Sequence, residues 1–127
     1  MNKYAARSIL LDAFFEARRF IVVERDGHAV REALHVFREA LEAMSQSIPI
    51  DAKVRQANGA EAITFPGLGC VTFATPRSSR LRGQAANVVF IDNDAHRVLG
   101  EDADSYDRFR LDVALCLDGR GGEVVHS

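Results

Sequence analysis

Two short apolar runs restrict the fold of this chain more than any other feature. Phe20-Ile21-Val22-Val23 and Asn87-Val88-Val89-Phe90-Ile91 are nearly continuous and rich in β-branched residues. A strand with one wet face alternates polar and apolar residues. A strand without that alternation needs cover on both faces, as in a parallel sheet between layers of helices.

Helical stripes supply the cover. Residues 3–18 carry Ala6, Ile9, Leu10, Ala13, Phe14 and Ala17 at spacings of three and four. Arg18 and Arg19 follow, where cations favour a helix end. Residues 28–44 carry Val30, Ala33, Leu34, Phe37, Leu41 and Met44 on one face, with Asp26 placed to cap the helix. Residues 105–117 turn Tyr106, Phe109, Val113 and Cys116 or Leu117 inward.

Between the second helix and the second apolar run the period changes. Pro49 breaks the helical pattern. Residues 62–65, the turn Pro66-Gly67-Leu68-Gly69 and residues 70–74 read as a β-hairpin. Residues 76–86 form a polar, arginine-bearing loop, and 92–104 an acidic connection. Gly119-Arg120-Gly121-Gly122 turns the chain into a last strand, Glu123-Val124-Val125-His126. The order helix, strand, helix, hairpin, strand, helix, strand predicts an α/β fold. It is three-layered, with a mainly parallel sheet, helices on both faces and an added β-hairpin, and forms one domain over residues 1–127.

Composition excludes some classes. Apolar residues make up 47% and charged residues 27%, as in an ordinary globular domain. A net charge of −2 gives no global attraction to nucleic acid or anionic lipid. No stretch approaches the ~20 apolar residues of a membrane span, and Asp12, Glu16 and Arg18 interrupt any leader-like run. A cytoplasmic location is expected, in the host if the chain is phage-encoded. Cys70 and Cys116 lack C-x-x-C spacing and read as free, buried thiols.

The segment Gly69 to Asp92 resembles the ATPase core of phage terminase large subunits, and helicases of the DEAD/DEAH type look similar there. The resemblance rests on a hairpin strand, the pair Arg82-Gly83, the strand Val88-Val89-Phe90-Ile91-Asp92, and Ala95-His96-Arg97. It implies a P-loop ATPase-like fold in which Asp92 stands at the Walker B aspartate. Residues 3–18 then look like the helix after the phosphate loop, and residues 123–126 like the strand of the coupling motif. The phosphate loop itself is not present in this sequence. Walker A chemistry needs glycine N–H groups around the phosphates and a Lys-Ser/Thr pair. Here the first glycine is Gly27, and Lys3-Tyr4 falls where that pair would be. The family also places a catalytic Glu after the Walker B Asp, whereas Asn93 follows Asp92 and Asp94 comes next. An Asn cannot take a proton from water.

These features give the expected site residues. Asp92, Asn93 and Asp94 form a degenerate Walker B motif, with no catalytic residue and no metal site expected beyond Asp92 as a weak candidate. A metal triad of Asp92, Asp94 and His96 competes with a solvated acidic loop containing Glu101, Asp102 and Asp104. Arg77, Arg80 and Arg82 would contact DNA phosphates or be braced by local acids. His28 and His35, seven apart, read as surface residues. Removing the phosphate-loop strand leaves strands 123–126, 87–91 and 20–23 contiguous and uncovers an edge on 123–126. Val124 and Val125 are therefore expected at an interface with a protein partner or a second copy. No cofactor is expected, and Mg-ATP only if a partner supplies the phosphate loop. Three functions follow: a non-catalytic protein-binding or scaffolding domain acting with a DNA-handling ATPase, half of a split ATPase, or a small nucleic-acid-binding module.

Overall fold

The computed structural model describes residues 1–77, 79–81, 84–99, 103–117 and 122–126, and gives no side-chain placement for residues 79, 99 and 103–106. Its elements are α1 (Lys3–Phe15), β1 (Arg19–Val23), α2 (Gly27–Ser45), β2 (Lys53–Arg55), β3 (Ala62–Thr64), β4 (Cys70–Ala74), β5 (Val88–Ile91), α3 (Asn93–Leu99), α4 (Ala103–Leu117) and β6 (Glu123–His126). A short 3-10 turn covers Ser79–Leu81. No described helix is long and apolar enough to cross a membrane.

The six strands make one sheet in the order β2-β3-β4-β1-β5-β6. β4, β1, β5 and β6 run parallel, while β2, β3 and β4 form an antiparallel meander. The three contiguous strands expected from the sequence are thus β1, β5 and β6 in that order. The apolar runs are central because they are buried on both faces. Phe20 and Val22 point into one core with Leu10, Phe37 and Phe73, on the side of α1 and α2. Ile21 and Val23 point into a second core with Val89, Ile91, Phe109 and Val113, on the side of α4. Burying a side chain of this size contributes about 1.5–3 kcal/mol, which is why neither run tolerates alternation. Edge-to-face packing of Phe37 on Phe73, centroids 5.2 Å apart, adds to the first core.

Helix α2 buries the six residues expected of it, and Asp26 caps it by accepting from the Ala29 N–H at 2.8 Å. Helix α1 is shorter than its apolar stripe suggests. It ends at Phe15 because Ala17 adopts φ 54°, a left-handed conformation that ends the helix. Ala17 is consequently exposed rather than on the buried face. The acidic connection at 92–104 is corrected as well. It contains α3, which its charge conceals, and Asp92 starts that helix by accepting from the Asp94 N–H at 3.1 Å. Nothing in the sequence announces β2. It is three residues long with only Val54 half-buried, too brief to leave a period.

Candidate functional site

The carboxyl ends of parallel strands are where an open α/β sheet builds its sites, because the loops there diverge to opposite faces. Here β1 ends at Val23 and β5 at Ile91. The strands are locked in register at both ends. At the amino end the Asn87 side chain accepts from the Arg19 N–H at 2.8 Å, and its backbone N–H donates to Arg19 O at 2.8 Å. At the carboxyl end Glu24 N–H reaches Ala74 O, and Asp92 N–H reaches Val23 O, both at 3.0 Å. Glu24 and Asp92 therefore leave neighbouring strands side by side.

Glu24 is the unusual member. It is 2% exposed, and its Oε1 has no hydrogen-bond partner among the described residues. Burial, then the Asp92 charge, raise its carboxyl to about 7; Asp94 adds to the rise, while the Met1 amine and Arg25 oppose it. The sequence gives little warning of this. Glu24 follows an apolar strand and precedes Arg25-Asp26-Gly27, so it reads as part of a solvated turn.

The Walker B-like residues lie as follows. Asp92 is half-buried, and its carboxylate serves the first turn of α3. Asn93 opens that helix and is exposed. Asp94 pairs with Arg97 and faces Arg25 at 3.9 Å. The His96 ring lies edge-to-face on His126, centroids 5.2 Å apart. Among the described residues no three acidic, His or Cys side chains stand close enough to hold a metal ion. Glu101 and Asp102 lie outside the described residues, as does the side chain of Asp104.

The arginine loop divides in the same way. Arg77 is exposed. Arg80 is half-buried and donates through Nη1 to Glu61 O and Phe73 O, each at 2.9 Å. Burial lowers its pKa, against the opposing charge of Glu61. Arg82 and Gly83 lie outside the described residues. His28 and His35 are exposed and pair with Glu32 at 2.9 Å and Glu39 at 3.1 Å, one turn on. Cys70 is half-buried and Cys116 buried, and neither is in a disulfide.

Among the described residues β6 is an edge of the sheet, pairing with β5 alone. Val124 is 41% exposed, and Val125 packs against the first core. Both expected interface residues thus lie on an open strand.

A four-stranded parallel core, extended by a meander, covered by helices on both faces and carrying Glu24 and Asp92 just beyond the carboxyl ends of its central strands, defines a layered α/β domain. Two solved structures share the arrangement. Both are of the large terminase from a thermophilic bacteriophage, in two crystal forms. The first matches 95% of this chain with a TM-score of 0.61 at 17% identity, and the second 95% with 0.54 at 16%. The match occupies 29% and 28% of those chains, so this chain spans less than a third of the terminase length. At such identity the likeness is one of fold. No protein-family model and no curated protein matches the sequence.

Proposed function

We infer that this chain is a non-hydrolysing, protein-binding or scaffolding domain built on the terminase type of ATPase sheet, and that it acts on or with a DNA-handling ATPase. A phage origin and a DNA-packaging context fit the fold it shares with a large terminase. The observation that carries the reading is the use made of Asp92-Asn93-Asp94. In the ATPases this chain resembles, hydrolysis relies on a carboxylate directly after the Walker B Asp to accept a proton from water. Asn93 takes that place on an exposed helix end, Asp92 caps α3, and Asp94 is paired with Arg97.

Glu24 favours a second reading, the split ATPase. A partner that brought phosphates and Mg²⁺ to the ends of β1 and β5 would meet two carboxylates there, one of them titrating near neutrality. Calorimetric titration of the chain with Mg-ATP separates the isolated chain from an active enzyme. The protein-binding reading expects no heat of binding. Micromolar affinity would overturn it.

A further inference from the structure

We propose that the edge of β6, unpaired on its outer side among the described residues, and the groove beside it form a docking site for one extended segment of another polypeptide, with an aliphatic side chain of that segment seated against Val124. The proposal rests on the protein-binding reading and names the kind of partner.

The backbone comes first. Glu123 N–H donates to Asn87 O at 2.9 Å, so Glu123 turns its polar backbone groups towards β5. Successive residues of a strand direct these groups to opposite sides. Val125 therefore also bonds towards β5, while Val124 and His126 present N–H and C=O to the open side. Such groups are a template for another strand.

The side chains follow the same alternation across the sheet. Val125 lies on the α1–α2 face with Phe90, and Glu123 is held there by Arg18 at 3.4 Å. Val124 and His126 lie on the α4 face. On that face a groove of about 410 Å³ opens beside β6, with Ile91, Phe109, Val113, Leu117 and Val124 in its wall together with His96, Arg110 and His126. An added strand would place every second side chain over this groove, where the apolar part of the wall, Ile91, Phe109, Val113 and Val124, selects an aliphatic one. Edge pairing supplies affinity and the groove supplies selectivity, so one extended segment uses both.

A second copy of the chain uses them poorly. In a two-fold antiparallel pair, opposed residues share a face of the sheet. Glu123 and His126 lie on different faces, so the acid of one copy never opposes the histidine of the other. Four residues of edge also fall far short of the roughly 1,200 Å² of a stable interface. A lone segment needs no such area to bind at micromolar strength.

The test uses the whole chain and a displayed library of random heptapeptides, with the best binder synthesised. Enrichment of Val, Ile or Thr at alternate positions is expected. Val124→Pro removes one outward N–H from an edge strand, where proline is tolerated, and should weaken the selected peptide at least tenfold with the thermal transition unchanged. Val124→Thr keeps the backbone and makes the groove polar, and should weaken it about threefold. Binding should also slow hydrogen exchange at the Val124 and His126 amides and leave Glu123 and Val125 as they were. Peptides that bind Val124→Pro and wild type equally would overturn the edge site while leaving the protein-binding reading standing. Failure to enrich any alternating sequence, or a free chain that sediments as a dimer with those two amides already protected, would also overturn it.

Discussion

Replacing Glu24 by Gln removes a buried carboxylate whose charge the fold disfavours. In the folded chain the carboxyl is buried at 2% exposure, one oxygen has no partner among the described residues, and its pKa is raised from 4.5 to about 7. The folded state therefore favours the protonated form. Stability from this group is fully present below about pH 4.5 and is lost as pH rises through 7. A shift of about 2.5 units at ~1.4 kcal/mol per unit costs on the order of 3 kcal/mol above pH 8. Gln has the same shape and no charge. Urea unfolding of both chains at pH 4 and pH 8 should show near-equal stability at pH 4. At pH 8 the Gln variant should be more stable by about 3 kcal/mol, or roughly 10 °C in Tm for a domain of this size. A stability difference that stays constant between the two pH values, or a variant less stable at both, would refute the burial argument and place Glu24 in contact with solvent or a cation.

Two further outcomes test the packing. Gly69→Ala would set a Cβ 2.0 Å from Arg18 O and 2.5 Å from Ala13 O, both backbone atoms that cannot swing aside. A loss of about 3 kcal/mol in chemical denaturation is expected, at the upper end of overpacking costs. Cys116 donates to Leu81 O at 2.9 Å, and burial raises its thiol pKa. A disulfide reagent at about pH 7.5, below the ordinary thiol pKa, should therefore modify the half-buried Cys70 first, and Cys116 only as the chain unfolds.

The elements the sequence makes legible are those whose burial is regular. β1, α2, β5 and the β3–β4 hairpin follow from period alone, because each buries a continuous run or a single stripe. The order β1-β5-β6 follows from the terminase resemblance, and the sheet agrees with it. The elements that stay hidden lack such a signal. β2 has three residues and one half-buried side chain. α3 hides in an acidic stretch, where helix propensity is masked by charge, and its start depends on the Asp92 cap. Gly69 reads as a turn residue, yet its role is the close approach of the hairpin to the end of α1. Of the candidate site, Asp92 at a strand end is visible from the resemblance. Glu24 is not, since a carboxylate after an apolar strand is normally solvated. Only the sheet order, which sets β1 between β4 and β5, shows that it is enclosed.

Amide hydrogen exchange of the free chain, resolved residue by residue, tests the central claim most directly: a parallel core with β1 and β5 inside and β6 open on one side. The slowest exchange is predicted at Ile21, Val22 and Val89. Alternation is predicted along β6, with Glu123 and Val125 protected and Val124 and His126 exchanging far faster. Uniform protection across β6, or β1 amides exchanging as fast as those of β2, would contradict that claim.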